Sequence, residues 1–144
     1  MTGSTNILFV CTGNICRSPL AEVIARSVFG DGQLTFSSAG TQAGAGDAAT
    51  SNMQVVASEH EFDLSGHRAT PLDQCPRPDL IFGMEQHHLI AAREQFPDLD
   101  VSRISLLDHP NAIDDPYGLN IEDYRITANR MIAVLDSLDL TMLR

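Results

Sequence analysis

The sequence predicts an α/β fold: one three-layer domain over residues 1–144, with a central four-stranded parallel sheet and helices on both faces. Two observations carry this. Four short apolar runs, at 6–10, 34–38, 79–84 and 104–107, are separated by stretches of helical periodicity. Strands that alternate with helices pair in parallel through crossover connections. With 144 residues, 43% hydrophobic and 19% charged, the chain is long enough and apolar enough for a proper core.

The elements follow in order. The run at 6–10 has strand character, and the spacing of Leu20, Val23, Ile24 and Ser27/Val28 predicts a helix over 19–29. Pro19 suits a first helical turn, Glu22 complements the helix dipole, and Gly30 and Gly32 stop the helix. A strand at 34–38 is followed by a Gly-, Ala- and Thr-rich stretch, 39–50, expected as a long loop. A helix is expected at 51–60, a turn at 63–68, and a third strand at 79–84. A helix over 85–95 ends before Pro97, and 104–107 forms the fourth strand. The last helix, 121–138, is amphipathic, with Tyr124, Ala128, Met131, Ile132 and Leu135 on one face.

Composition removes several classes of function. No apolar run approaches the roughly 18 residues of a membrane span. The start of the chain is polar and lacks the basic and apolar segments of a signal peptide, so the expected location is the cytoplasm. Three cysteines do not make a disulfide framework. A net charge of −10 argues against a broad nucleic-acid interface and against long-range steering of an anionic ligand.

The chemistry concentrates at one place. Cys11-Thr12-Gly13-Asn14-Ile15-Cys16-Arg17-Ser18 lies between the first strand and the first helix. In parallel sheets, sites form beyond the carboxyl ends of the strands. Backbone N–H groups of such a loop, together with a helix N-terminus, favour an anion. Arg17 can grip two oxygens of a phosphate in its planar fork, and the same positive field favours the thiolate of Cys11 over the thiol. This is a phosphate-binding loop with a nucleophile at its base. It is not an NTP-binding loop, which needs a second glycine followed by lysine.

Val10-Cys11-Thr12-Gly13-Asn14-Ile15-Cys16-Arg17-Ser18-Pro19, Ser38-Ala39-Gly40-Thr41, Gly66-His67-Arg68-Ala69 and Asp115-Pro116-Tyr117 occur in this order. With these motifs the chain resembles the low-molecular-weight protein tyrosine phosphatases over nearly its whole length. The resemblance implies hydrolysis of phosphotyrosine through a phosphocysteine on Cys11. Arg17 would hold the phosphoryl oxygens, and Asp115 would serve as general acid and then base, in preference to its neighbour Asp114. Thr12, Gly13, Asn14, Ile15 and Cys16 would complete the loop. Ser18 would donate to the Cys11 sulfur. Asn14, Ser38 and His67 would hold the loop in shape, and Tyr117 would stack on the substrate ring. Cys16 would trap an oxidised Cys11 as a reversible disulfide. No metal or other cofactor is implied. The expected partner is a phosphotyrosine protein, a bacterial tyrosine kinase among them.

Some residues remain outside this pattern. Cys75 has no assigned role, and His87-His88 are expected to face different ways and not to form a metal pair. The loop Gln42-Ala43-Gly44-Ala45-Gly46-Asp47 lacks the bulky side chain that many relatives carry there. The arsenate reductases that share the Cys-x5-Arg loop need two downstream cysteines, and only Cys75 is present. Protein-arginine phosphatases of this fold tend to carry threonine where Ile15 stands. A non-enzymatic phosphate-binding module would usually lack the cysteine or the acid, and both are here.

Overall fold

The computed structural model describes residues 4–30 and 32–140. Four strands, β1 (Thr5–Cys11), β2 (Leu34–Gly40), β3 (Leu80–Gly83) and β4 (Ile104–Leu106), form one sheet in the order β2-β1-β3-β4. Every pairing is parallel, and Cys11 lies opposite Gly40 at the carboxyl edge. The helices are α1 (Arg17–Phe29), α2 (Ser51–Glu59), α3 (Gln86–Gln95) and α4 (Ile121–Ser137). Two single 3-10 turns, Leu72–Gln74 and Val101–Arg103, escaped the sequence reading because three residues carry no measurable period.

β1 reads as a continuous apolar run because both of its faces are covered. Ile7, Phe9 and Cys11 point into a core shared with α1, α2 and α4, where Leu20, Met53, Tyr124 and Met131 are buried. Leu8 and Val10 point to the other side, against Leu89, Ala92 and Phe96 at α3. This alternation gives the three layers that the sequence predicts.

The expected helices and strands are all present, with ends moved by one or two residues. The apolar stripe of α1 is rotated from the one expected. Leu20, Ala21, Ile24 and Ala25 are buried, while Val28 is 41% exposed. Two alanines one turn apart let α1 approach its neighbours closely, so small side chains rather than Val23 and Val28 face inward. α1 also begins two residues earlier than expected, at Arg17. Proline at its third position removes an N–H that has no intrahelical partner in any case. Ile132 is only partly buried, and Thr127 takes a place on the inner face of α4.

The long loop after β2 is tied to the Cys11–Arg17 segment by backbone hydrogen bonds. Thr41 N–H donates to Cys11 O at 3.0 Å, Gln42 N–H to Thr12 O at 2.8 Å, and Thr50 N–H to Ile15 O at 3.0 Å. Gly40 makes this approach possible. A Cβ there would stand 2.5 Å from Thr12 O and 2.9 Å from Asn14 N, both backbone atoms that cannot move aside. Gly40→Ala is therefore expected to destabilise by about 1–3 kcal/mol. Gly66→Ala, where a Cβ would meet nothing within 4 Å, is the neutral control. Denaturant midpoints of the two variants check the difference.

Candidate active site

The loop after β1 is shaped by Asn14. Its φ of 55° is left-handed, a conformation that asparagine adopts more readily than most residues. The fully buried side chain works in both directions: Nδ2 donates to Ser18 Oγ at 2.8 Å, and Oδ1 accepts from Thr70 N–H at 2.8 Å. The carbonyl of Asn14 accepts from Nε2–H of His67 at 2.6 Å. Ser18 Oγ in turn lies 2.9 Å from Cys11 Sγ. Because Asn14 donates to Ser18, the serine hydroxyl proton has two acceptors in reach, the sulfur at 2.9 Å and the Ala39 carbonyl at 3.5 Å.

Ser38 is placed otherwise than expected. Its hydroxyl donates to Glu22 on α1 at 2.6 Å, not to the loop. It sits two residues before the end of β2, where its side chain meets α1. Glu22 also pairs with Arg26, so that acid serves the side of α1 and not the helix dipole.

Arg17 is the most unusual side chain in the structure. It is a cation only 1% exposed. Nη1 donates to Glu85 at 2.6 Å and to the carbonyl of Ile113 at 2.7 Å. Nη2 faces Asp115 Oδ2 at 3.4 Å. Among the described residues, Arg17 Nε is the one buried side-chain nitrogen or oxygen with no hydrogen-bond partner. A buried, unpartnered N–H on a cation beside a pocket is a strong demand for an anion.

Cys11, Thr12, Ile15, Arg17, Asp115 and Tyr117 line a single pocket of about 230 Å³, with Gln42, Gly44 and Asp47 on its remaining side. This is below the roughly 300–1,000 Å³ of drug-sized sites and suits one modified side chain. Asp115, not Asp114, is at the pocket. Its Oδ1 accepts from Tyr117 N–H at 3.0 Å, which leaves Oδ2 toward Arg17. Tyr117 is 61% exposed and stands as a free wall. The fourth side, lacking any large side chain, carries the Asp47 carboxylate instead.

Cys16 is buried at 3% exposure, with Sγ 3.5 Å from Thr50 Oγ1 and 3.9 Å from Tyr124 OH. Burial pushes its thiol up to about 11, so it is a neutral thiol at physiological pH. Cys75 packs against the core on the α3 side and donates to Leu72 O at 3.1 Å.

Sequence reasoning missed two residues, Glu85 and His88, at the start of α3. Burial raises the Glu85 carboxyl, but the hydrogen bond and charge of Arg17 outweigh it and hold it below the usual carboxylate range. His88 is fully buried; Nδ1 accepts from Glu85 N–H at 3.0 Å, and Nε2 lies 2.9 Å from Thr12 Oγ1. The signal available was Glu-x-x-His at a helix start beyond the third strand, a reciprocal capping pattern. His87 and His88 face different ways, one exposed and the other buried, although their ring centroids are 4.1 Å apart. Glu85, His87 and His88 hold possible ligand atoms within 4.8 Å of one another. They do not fit a metal as they stand, because both nitrogens of His88 are already engaged.

Burial, then the charges of His87 and Arg17, push the His88 imidazole down to about 3, against an opposing pull from Glu85. The unfolded chain therefore takes up a proton near pH 6.5 that the folded chain refuses until about 3. Stability should fall as pH drops through that window, by up to about 1.4 kcal/mol per pH unit. Urea unfolding at pH 7 and pH 5 should show this slope in the wild type, and His88→Asn should lack that part of it.

Comparisons with known proteins show the family. The family model described as low molecular weight phosphotyrosine protein phosphatase matches residues 6–141. The chain is 37% identical to the low molecular weight protein-tyrosine-phosphatase Wzb of Escherichia coli K12, over 83% of this chain and 82% of that one. It is 30% identical to a protein-arginine-phosphatase of Geobacillus stearothermophilus, over 92% of each. Vibrio vulnificus Wzb in complex with benzylphosphonate superposes with a TM-score of 0.84 at 28% identity, covering 94% of this chain and 97% of the other. The chain belongs to the low molecular weight phosphotyrosine protein phosphatase family.

Proposed function

We propose that this member of the family hydrolyses phosphotyrosine in proteins, by two displacements at phosphorus through a phosphocysteine on Cys11. The observation that carries the reading is the buried guanidinium of Arg17, with its unpartnered Nε, in one pocket with a cysteine and a carboxylate. The Cys11 thiolate attacks phosphorus and the ester P–O bond breaks. Asp115 gives its proton to the departing phenolate. Water then attacks the phosphocysteine and Asp115 takes its proton. The P–S bond breaks, returning the thiolate and releasing phosphate.

Each role has physical support. Phosphoryl transfer is mostly positioning and charge stabilisation, which a fixed guanidinium and backbone amides supply. Ser18 Oγ, 2.9 Å from the sulfur, can donate to it as the P–S bond breaks. Tyr117 and Ile15 offer two apolar surfaces to an aromatic ring. The substrate we propose is a cytoplasmic phosphotyrosine protein, for which a bacterial tyrosine kinase is a candidate. The domain is proposed to act as one unit.

Cys11→Ser should abolish turnover of an aryl phosphate while retaining phosphate binding, and measurable turnover above background would overturn the nucleophile. Asp115→Asn should lower turnover of phosphotyrosine by roughly 10²–10⁴-fold, and much less for esters whose leaving group needs no proton. An equal loss across leaving groups would make Asp115 structural.

Matched peptides test selectivity. Phosphotyrosine should be preferred over phosphoserine, because a short alkyl phosphate cannot reach Cys11 from the pocket mouth. Preference for phosphoarginine would favour the activity named for the Geobacillus relative, which the branched apolar Ile15 argues against.

A further inference from the structure

Thr12 stands on the phosphate loop next to Cys11 and lines the pocket. Its hydroxyl oxygen lies 2.9 Å from His88 Nε2, and among the described residues no other hydrogen bond of that hydroxyl is found. The direction of this bond is fixed from the far side of the imidazole. Glu85 N–H donates to Nδ1 at 3.0 Å, so Nδ1 carries a lone pair and no hydrogen. A neutral ring must then carry its hydrogen on Nε2. Full burial of His88 keeps the ring neutral, consistent with an imidazole pushed down to about 3. Nε2–H is thus the donor and Thr12 Oγ1 the acceptor, and the hydroxyl proton of Thr12 is left without an acceptor among the described residues.

We propose that His88 is a positioning residue that polarises Thr12, so that the Thr12 hydroxyl donates a hydrogen bond to an oxygen of the bound phosphorylated side chain. Three features of the structure serve this arrangement. Gly83 gives His88 its place: a Cβ at 83 would stand 3.1 Å from His88 Cβ and 2.7 Å from Leu89. Glu85, which fixes the tautomer with its backbone, holds Arg17 with its side chain. The start of α3 therefore grips the phosphate loop at both ends, at Thr12 through the ring and at Arg17 through the carboxylate. A valine would fill the space of Thr12 yet supply no donor.

The inference rests on the phosphatase reading only for the identity of the ligand, so the probes are separate. Inorganic phosphate as a competitive inhibitor reports the hydroxyl alone, and turnover of p-nitrophenyl phosphate by the wild type reports the catalytic reading. Thr12→Val should weaken phosphate inhibition roughly 2–10-fold, the range of one neutral hydrogen bond, and raise KM more than it lowers kcat. Thr12→Ser should restore the wild-type inhibition constant. His88→Asn should weaken inhibition in wild-type Thr12 protein but add little on top of Thr12→Val.

Nitrogen NMR of the His88 ring in the wild type gives a check that needs no variant to fold. The Nε2–H neutral tautomer is expected from pH 5 to pH 8. An Nδ1–H tautomer, or an imidazolium in that range, would overturn the proposal. So would a Thr12→Val protein that binds phosphate as the wild type does.

Discussion

Burial of one guanidinium is the constraint on which the rest of this site depends. A cation 1% exposed is costly unless it is hydrogen-bonded and paired. The protein meets most of that cost with groups brought from three places. Glu85 comes from the start of α3, Ile113 O and Asp115 from the segment between β4 and α4, and the loop itself holds Arg17 at the first turn of α1. All three lie at the carboxyl edge of the sheet, where a parallel strand order leaves its crevices. The pairing is incomplete at Nε, which is buried without a partner, and on the proposed function that deficit is what an incoming phosphoryl group would relieve. A fully satisfied arginine would be a structural ion pair; this one is held ready.

Rigidity of the loop comes from a second knot around Asn14. Left-handed backbone at a buried non-glycine residue costs free energy, and it persists only when its surroundings over-determine it. Here the side chain bonds Ser18 and Thr70, and the carbonyl bonds His67. The same asparagine that bends the loop therefore sets the hydrogen-bond direction of Ser18, and through it the environment of the Cys11 sulfur. Bend and nucleophile are coupled, so a substitution at Asn14 would disturb both together.

Much of the site was legible because its chemistry is contiguous. Cys11, Asn14, Arg17 and Ser18 fall within eight residues, and the strand before them and the helix after them announce themselves by period. What the sequence hid are partners distant along the chain. Glu85 and His88 meet Arg17 and Thr12 across separations of 68 and 76 residues, and neither belongs to a run that marks it as functional. Ser38 shows the opposite error: the family resemblance implied support for the loop, yet strand alternation turned the side chain to Glu22. The shifted face of α1 has a similar origin. Hydrophobicity ranked valine over alanine, while close packing against β1 and α4 favoured the smaller side chain.

The acidic balance of the chain also takes on a definite meaning in three dimensions. With a formal charge of −10, the molecule as a whole repels anionic ligands, and the pocket rim adds Asp47 and Asp115 to that field. Attraction is confined to the pocket lining, where the buried Arg17 guanidinium supplies the positive charge. A free phosphate ester in solution thus gains little from steering. A phosphoryl group on a protein gains when the residues around it are basic or neutral, because they meet the rim carboxylates before the phosphate meets Arg17. Lack of a bulky residue between Gln42 and Asp47 leaves room on that side for such neighbouring residues. On the proposed function, recognition would be divided: the base of the pocket would read the phosphoryl group, Tyr117 and Ile15 the ring, and the rim carboxylates the residues around it.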